Sequence, residues 1–423
     1  MSITAWFLTV GFAALMVLGV PFVFAVGLSV VAVLIAVDIP DILLPQTLIG
    51  STQSFSLLSI PFFMLAGELM TAGGLSRRLI GVADAFVRHL PGGMGHVTIL
   101  AAVIFAAISG SAPATTAAIG AIMIPAMIER GYDAGYATAL SVSAGVLAPL
   151  IPPSIAFVIW GVIAEQSIAK LFLSGVVPGL VMAAALVVVV ALRAKRDTLP
   201  RLPRASWAEI RTAVNDGKWA LLAPLIVLGG IYAGVFTPTE AAAVACFYSL
   251  AVGLWIERRI RWSDLPSIIL AAMKISAIVM AIIAVSGGFG VLVAQEQLAT
   301  KMATFLGDNI QQKWVMLLLL NVAFFLLAAV MDEIAIMVIL GPMLIALANK
   351  FGIDPIHFGA IIVTNVSIGM AAPPIGYCLF VGMAISGLSL ARVAKAIWPM
   401  VLAMLVVLML TTYVPAFSLA LIR

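Results

Sequence analysis

Charged residues are scarce in this sequence. They make up 9% of the 423 residues, whereas a typical soluble domain has about 25%. Hydrophobic residues make up 64%, so the expected solvent is lipid rather than water. In lipid every backbone N–H and C=O must be paired within the protein, which leaves helices or a closed barrel. Apolar runs such as 181–192 and 316–330 lack the alternation of a barrel strand. We therefore predict an all-α integral membrane protein.

Residues and motifs typical of enzymes are also missing. The two cysteines, Cys246 and Cys378, lie inside apolar runs, which argues against a disulfide framework or a thiolate metal site. The three histidines, His89, His96 and His357, form no ligand pair at helical spacing. The sequence contains no HExxH, P-loop, GxSxG or dinucleotide-binding motif. We predict that the protein is not an enzyme, that it has no cofactor, and that an ion gradient or a partner drives any transport.

Apolar segments of sufficient length predict the membrane spans. A helix needs about 20 apolar residues to cross a bilayer. By this criterion spans lie near residues 3–20, 22–37, 57–74, 135–164, 167–192, 219–236, 239–256, 266–293, 356–386 and 392–413. Two further apolar stretches, 94–129 and 314–348, are each interrupted near the middle by small or charged residues.

Basic residues between the spans predict the orientation. The connection 193–218 and the segment 257–261 are both basic, and two spans joined at an uncharged turn separate them. Both therefore fall on one side, which the positive-inside rule makes cytoplasmic. The basic residues of the first connection are Arg193, Lys195, Arg196, Arg201, Arg204, Arg211 and Lys218. The net charge of +4 thus reflects membrane orientation, and we expect no nucleic-acid partner.

An internal repeat relates the two halves of the chain. Residues 129–161 align without gaps on 350–382, an offset of 221, and Pro152-Pro153 falls on Pro373-Pro374. The same offset brings one interrupted stretch onto the other. Because the predicted orientation opens the first stretch to the cytoplasm and the second to the periplasm, we predict an inverted-repeat transporter with two re-entrant helical hairpins and two helices broken at Pro-Pro.

This pattern divides the chain into four predicted units. Residues 1–56 form N-terminal scaffold spans and an interfacial arm, and 57–192 form the first repeat with its hairpin at 94–129. Residues 193–265 form the basic cytoplasmic loop and further scaffold spans. Residues 266–423 form the second repeat with its hairpin at 314–348.

Interrupted segments at matching positions of inverted halves predict the binding site. Broken helices leave unpaired carbonyls, which can hold Na⁺, and unpaired N–H groups, which can hold a carboxylate. The predicted ion and substrate site consists of Ser109, Gly110, Ser111, Thr115, Pro152, Pro153, Ser154, Met331, Asp332, Glu333, Asn365, Pro373 and Pro374. We expect Na⁺ near Ser109, Ser111 and Asp332, with Asn365 as a polar neighbour of Asp332.

Each feature also has a simpler interpretation. Small residues at a hairpin tip permit close helix packing, and consecutive prolines can simply kink a helix. Asp332 could cap the following helix, and Glu68 is expected near the cytoplasmic end of its span. The coincidence of these breaks with the repeat favours a binding site.

Several sequence strings resemble a known transporter family. They are PFFMLAGELMTAGGLSRRL at 61–79, SGSAPATTAAIGAIMIPAM at 109–127, PPS at 152–154, MDEIAIMVILGPML at 331–344 and PPIG at 373–376. Over essentially the whole chain the sequence resembles the large membrane subunit (DctM type) of tripartite ATP-independent periplasmic (TRAP) transporters. The resemblance implies elevator-type, Na⁺-coupled uptake of an organic acid across the bacterial inner membrane. It also implies a small four-helix membrane subunit and a periplasmic substrate-binding protein as partners.

One position bears on the substrate class. Sialic-acid members of that family carry an aspartate four residues after the second hairpin serine, where this sequence has Thr115. The resemblance therefore favours a C4-dicarboxylate-like substrate. Two alternatives are a stand-alone ion-coupled carboxylate carrier or antiporter, and an intramembrane enzyme or scaffold. The lack of paired catalytic His, Glu or Asp residues argues against the second.

Overall fold

Helices account for the regular structure in the part of the chain that the structure describes. The computed structural model describes residues 3–37, 40, 42–197, 202–310 and 312–422. Arg201, a predicted member of the basic loop, lies outside these ranges. Eight helices in them are long and apolar enough to cross a membrane: Phe55–Ala72, Ala112–Glu129, Ile168–Arg196, Trp207–Tyr232, Pro238–Ile256, Trp262–Gln295, Glu333–Lys350 and Leu390–Tyr413.

The described residues of the first half form eleven α-helices. They are α1 Ile3–Trp6, α2 Phe12–Val17, α3 Phe22–Ala36, α4 Leu43–Thr52, α5 Ser59–Ala72, α6 Leu75–Val87, α7 Gly93–Ser109, α8 Ala112–Glu129, α9 Ala134–Gly145, α10 Ile155–Ile163 and α11 Ile168–Arg196. A π-helical segment, Phe7–Gly11, joins α1 to α2, and a 3₁₀ turn, Phe55–Leu58, precedes α5. The predicted spans 3–20 and 22–37 are shorter in the structure because the chain turns at Gly19 and Pro21 before α3.

In the second half, ten α-helices lie within the described ranges. They are α12 Trp207–Tyr232, α13 Pro238–Ala251, α14 Leu265–Gln295, α15 Leu298–Asn309, α16 Lys313–Ala328, α17 Glu333–Lys350, α18 Pro355–Ala371, α19 Tyr377–Ser386, α20 Leu390–Tyr413 and α21 Ala416–Leu419. A π-helical segment, Val252–Ile256, extends α13, and a 3₁₀ turn, Trp262–Asp264, precedes α14.

The helix boundaries repeat at the predicted offset. Displaced by 221 residues, α8 coincides at both ends with α17, and the start of α9 coincides with that of α18. The same chemistry starts α9 and α18. Asp133 accepts a hydrogen bond from Tyr136 N (2.9 Å), and Asp354 accepts from Ile356 N (2.9 Å). In each half the chain therefore forms a helical hairpin followed by a helix interrupted at Pro-Pro.

The two halves interlock through their broken helices. Helix α10, which follows the first break, packs against α17 of the second hairpin, and α19, which follows the second break, packs against α8 of the first. Gly120 of α8 faces Ile385 of α19, and Gly341 of α17 faces Ile163 of α10. The two glycines are related by the offset. The absence of a side chain at both positions lets the helices approach closely.

The helix that leads into the first hairpin, α6, is held to neighbouring segments by ion pairs. Arg78 of α6 pairs with Glu257 (3.0 Å), and Arg88 pairs with Glu209 (3.1 Å) on α12. The N–H of Ser206 and the Arg88 guanidinium hold the pKa of Glu209 below its usual value. The corresponding helix of the second half, α15, is held differently: its Asp308 pairs with Lys350 (3.5 Å) at the end of α17, its own hairpin.

Candidate ion and substrate site

The first hairpin tip is a buried turn rich in hydroxyl groups. Helix α7 ends at Ser109, Gly110 has a φ of +58°, and extended Ser111 precedes α8. The Ser109 and Thr115 hydroxyls are hydrogen-bonded at 2.7 Å. Ser109 is 2% and Ser111 6% exposed. A Cβ at position 110 would lie 2.4 Å from the Pro153 carbonyl oxygen, so only glycine fits this approach.

The second hairpin tip is acidic. Met331 N donates to Leu327 O (2.7 Å), which extends the end of α16. Asp332 caps α17 by accepting a hydrogen bond from Ile334 N (2.9 Å). Glu333 is 5% exposed, and in the described part of the chain its Oε2 atom has no hydrogen-bond partner. The capping interpretation of Asp332 therefore agrees with the geometry.

Each hairpin tip contacts the Pro-Pro break of its own half. Ile155 N donates to Gly110 O (3.4 Å), and Gly376 N donates to Ala329 O (2.9 Å). The two donors are related by the offset of 221. Each bond joins a residue that follows a Pro-Pro break to a backbone carbonyl group at the hairpin tip. The predicted tips and breaks, which are separated by more than 40 residues in sequence, are thus brought together twice.

The residues of the two breaks differ in exposure. Pro152, Pro153 and Ser154 are buried, and Ser154 caps α10 by accepting from Phe157 N (3.2 Å). Pro373 is half-buried and Pro374 is exposed. The first break is therefore enclosed by protein, and the second borders the surface of this chain.

Asn365 has a different partner from the one predicted. Its Nδ2 atom donates to Asn321 O (2.9 Å) and Asn321 Oδ1 (3.0 Å) rather than to Asp332. Asn321 in turn donates to Thr412 Oγ1 (2.9 Å), so α16, α18 and α20 share one buried polar cluster. Neither Asn321 nor Thr412 was predicted from the sequence. The feature that could have indicated them is a polar residue inside an otherwise apolar run.

Several buried oxygen atoms of the hairpins and broken helices lack a hydrogen-bond partner within the described ranges. They are Thr116 Oγ1, Ser141 Oγ, Ser143 Oγ, Glu333 Oε2 and Asn365 Oδ1. Thr116 of the first hairpin lies beside Cys378 of α19, so hairpin and broken helix from different halves meet at this point. Unpaired buried oxygens are costly unless water or an ion satisfies them. Oxygen atoms are also the ligands that hard cations prefer.

A cavity of about 370 Å³ opens beside the first tip. It lies between α5, α6 and α8 and contains Ser109, Glu68, Thr71, Ser76 and Arg77 with several small apolar residues. Its size falls within the range of about 300–1,000 Å³ that is usual for small-molecule sites. Glu68 was expected near the end of its span, and neither Glu68 nor Arg77 was among the predicted site residues. The structure places both in the same cavity as the predicted hairpin serine.

The second half has a smaller, apolar counterpart. A cavity of about 170 Å³ lies between α14, α10 and α17, and Ser286, Gly287, Gly290, Val338 and Pro342 are among its lining residues. Val338 and Pro342 correspond by the offset to Ala117 and Ala121, which line the first cavity. The related faces of α8 and α17 therefore line a larger polar cavity in the first half and a smaller apolar cavity in the second half.

Comparison with known proteins identifies the family. Residues 9–417 match the family model described as "Tripartite ATP-independent periplasmic transporter, DctM component". The chain belongs to this DctM family. It is 42% identical over 374 residues to the C4-dicarboxylate TRAP transporter large permease protein DctM of Pseudomonas aeruginosa, covering 88% of each chain. The predicted family resemblance is confirmed, and the protein is a transporter permease, not an enzyme.

Two further relatives have different named substrates. The chain is 39% identical to the 2,3-diketo-L-gulonate TRAP transporter large permease protein YiaN of Escherichia coli, covering 94% of each. It is 41% identical to the isethionate TRAP transporter permease protein DctMQ of Oleidesulfovibrio alaskensis, covering 96% of this chain and 64% of that protein. The chain therefore spans less than two thirds of the DctMQ protein. Family membership does not by itself specify the substrate.

A solved transporter shares the fold. The YdaH transporter of Alcanivorax borkumensis aligns with a TM-score of 0.66 at 15% identity, covering 89% of this chain and 88% of that one. Together with the family match and the eight apolar helices, this establishes the DctM-family chain as a multi-pass inner-membrane permease of a tripartite transport system.

Proposed function

We propose that this permease carries out Na⁺-coupled secondary uptake of an organic acid of the C4-dicarboxylate class across the inner membrane. A periplasmic binding protein delivers the substrate, and a small four-helix membrane subunit completes the transporter. Na⁺ binds at the hairpin tips near Ser109, Ser111 and Asp332. The two hairpins re-enter the membrane from opposite sides, and the interlocked hairpins and broken helices move together as an elevator.

The observation that carries this proposal is the repeated contact between tip and break. The bonds from Ile155 N to Gly110 O and from Gly376 N to Ala329 O hold each tip beside a non-helical segment of backbone. Non-helical backbone at membrane depth is tolerated where it lines a cavity or is covered by protein. Carbonyl oxygens of such segments coordinate Na⁺ in inverted-repeat transporters. The buried Ser111 and Glu333 side chains add oxygen ligands.

The substrate occupies the cavity of about 370 Å³ beside the first tip. Arg77 supplies the positive charge that a carboxylate requires, and a planar guanidinium can bind a carboxylate through two parallel hydrogen bonds. Among the described residues no acidic group lies within 4.0 Å of the Arg77 guanidinium, whereas Arg78 and Arg88 are both paired. Arg77 is thus the cavity's available cation.

Replacement of Na⁺ tests the coupling. The complete transporter, reconstituted in vesicles with its binding protein present, should take up the organic acid when Na⁺ is supplied outside. Uptake should vanish when K⁺ replaces Na⁺ at the same ionic strength. Undiminished uptake in K⁺ would refute Na⁺ coupling.

The same assay tests the substrate cavity. Arg77→Gln should raise the substrate concentration for half-maximal uptake, because it removes the cation that faces the carboxylate. The Na⁺ concentration for half-maximal uptake should stay unchanged. An unchanged substrate dependence would remove Arg77 and this cavity from the proposed path, and Arg211→Gln, an exposed arginine on α12, provides the control.

A further inference from the structure

A separate cavity of about 320 Å³ lies at the base of the first hairpin. Four residues line it: Arg88 just after α6, Met94 at the start of α7, Arg130 just after α8, and Leu202. This end of the hairpin lies on the side that the basic loops predict to be cytoplasmic. The cavity is distinct from the tip, because α7 and α8 run 17 and 18 residues from the base to the tip.

The two arginines of this cavity differ in their partners. Arg88 is neutralised by Asp84 (3.5 Å) and Glu209 (3.1 Å). Arg130 contacts the Met94 sulfur (2.9 Å), and no carboxylate lies within 4.0 Å of its guanidinium among the residues that the structure describes. The cavity therefore has one uncompensated positive charge.

Two further groups lie next to Met94, one of the residues that line the cavity. Helix α7 starts here after Gly92, which has a φ of +75°, and no side chain caps its first turn. Tyr132 is 3% exposed and lies against the backbone of Met94 and Gly95. Within the described ranges its hydroxyl has no hydrogen-bond partner. A buried hydroxyl with an unused donor beside a helix N-terminus indicates a missing acceptor.

We propose that this cavity binds a phosphate group, supplied by the headgroup of an anionic phospholipid in the cytoplasmic leaflet. A guanidinium, a phenolic O–H and a helix N-terminus are all donors that favour phosphate. The cytoplasmic leaflet is the one enriched in anionic lipid. Phe86 and Ile128, each two residues before one of the arginines, are 48% and 40% exposed and provide apolar surface for acyl chains.

This inference goes beyond the proposed transport function. A phosphate bound here would contact residues at the end of α6, the start of α7 and the end of α8. It would therefore join α6 to both helices of the hairpin, α7 and α8. Anionic lipid should stabilise the permease through this contact whether or not substrate and Na⁺ are present.

A lipid-binding measurement tests the proposal. The purified full chain in detergent would be titrated with short-chain phosphatidylglycerol, with phosphatidylcholine of the same chain length, or with inorganic phosphate, and its thermal unfolding midpoint followed. Phosphatidylglycerol should raise the midpoint of the wild type, and phosphatidylcholine should not. In Arg130→Gln the apparent affinity for phosphatidylglycerol should fall about tenfold or more, because a charge-assisted hydrogen bond is lost. Tyr132→Phe should weaken binding less.

Matched variants separate a site from general charge. Arg211→Gln removes one exposed cytoplasmic positive charge from α12 and should bind phosphatidylglycerol like the wild type. Arg130→Lys keeps the charge and should retain most of the affinity, which keeps the test valid if Arg130→Gln does not fold. An equal midpoint rise with inorganic phosphate would support the site and assign it to a soluble phosphate. Equal responses of wild type and Arg130→Gln, or of the two lipids, would overturn the proposal.

Discussion

The two halves of the molecule share a backbone pattern and differ in polar groups. At an offset of 221 residues, α8 coincides with α17 and each hairpin tip receives a hydrogen bond from the break that follows it. The first tip presents the hydroxyls of Ser109 and Ser111, and the second presents the carboxylates of Asp332 and Glu333. The repeat thus conserves the geometry that frees backbone carbonyls, while the side chains provide hydroxyl groups in one half and carboxyl groups in the other.

The cavities of the two halves differ as well, and so do α6 and α15, the helices that precede the hairpins (the arm helices). The cavity of the first half is polar and about 370 Å³, and its counterpart is apolar and about 170 Å³. Helix α6 is tied by ion pairs to α12, whereas α15 is tied to its own hairpin at Lys350. The difference in cavity volume indicates that the structure shows one conformation, in which the cavity of the first half is wide and its counterpart in the second half is narrow. The ion pairs show that α6 is attached to α12, and α15 to its own hairpin.

The largest expected effect comes from filling the closest helix contacts of each half. An added Cβ at Gly145 would lie 2.9 Å from the Thr116 Cα, and one at Gly369 would lie 3.0 Å from the Ala328 carbonyl carbon. Because both neighbours are backbone atoms, Gly145→Ala and Gly369→Ala should each lower the free energy of unfolding by about 1–3 kcal/mol. Each should also strongly reduce uptake. Denaturation in detergent and vesicle uptake measure the two effects.

Glycines in open positions provide the controls. Gly81 of α6 and Gly229 of α12 have no atoms within 4 Å of an added Cβ. Alanine is the better helix former by about 1 kcal/mol, so Gly81→Ala and Gly229→Ala should keep or increase stability. If Gly145→Ala were tolerated, the close contact of α9 with the first hairpin would not limit stability, and the same holds for Gly369→Ala and the contact of α18 with the second hairpin.

A smaller effect distinguishes the two tips. Asp332→Asn should leave the protein folded, because Asn caps a helix about as well as Asp. If the carboxylate contacts Na⁺, the substitution removes a charge-assisted contact of about 1.5–3 kcal/mol. The Na⁺ concentration for half-maximal uptake should then rise roughly tenfold or more. Ser111→Ala should shift it in the same direction by less, because backbone carbonyls remain.

Asp354 provides a control for Asp332, because it caps a helix but is not part of the proposed ion site. It caps α18 by accepting from Ile356 N (2.9 Å) and His357 N (3.0 Å). Asp354→Asn should therefore leave the Na⁺ dependence unchanged. The same result in Asp332→Asn would mean that Asp332 is only a helix cap, and the charge difference between the tips would then have no role in ion binding.

The smallest effect should come from the arm helices. Arg88→Gln removes the contact of α6 with Glu209, and Lys350→Gln removes that of α15 with Asp308. Both pairs are at least partly exposed, so each loss should slightly lower the unfolding midpoint and vanish at high salt. The Ser206 N–H, followed by Arg88, lowers the pKa of Glu209 from 4.5. Its contribution is thus present above pH 4.5 and lost as the pH falls through the lower folded pKa.

Comparison of the wild type with Arg88→Gln across pH checks this sign. Their midpoints should differ at neutral pH and converge in acid. A difference that grows in acid would show that Glu209 does not stabilise the arm through its ionised form.

Much of the helix pattern could be read from the sequence. The interrupted stretches predicted at 94–129 and 314–348 correspond to α7–α8 and α16–α17, with boundaries that differ by at most two residues. Helix breakers act locally: Gly110 takes a positive φ at the tip, and consecutive prolines stop α-helical hydrogen bonding. The division into four units and the membrane re-entry of the hairpins stay predictions.

The partners of individual polar residues could not be read in this way. Asn365 was expected beside Asp332 and instead binds Asn321. Arg77 and Glu68 were not among the predicted site residues, yet they line one cavity with Ser109. Such contacts depend on how helices that are far apart in sequence pack together. The spacing of residues along one helix does not indicate which side chains of other helices they contact.

The sequence by itself determined the solvent, the helices, the repeat and the family, because apolar composition and helix-breaking residues act within short segments. Tertiary structure alone decided how those segments interlock. It placed α10 against the second hairpin and α19 against the first, and it left Thr116, Glu333 and Asn365 with unpaired buried oxygens. The physical reason is that burial and hydrogen bonding of a side chain are set by the neighbouring helices, which the chain brings together only when it folds.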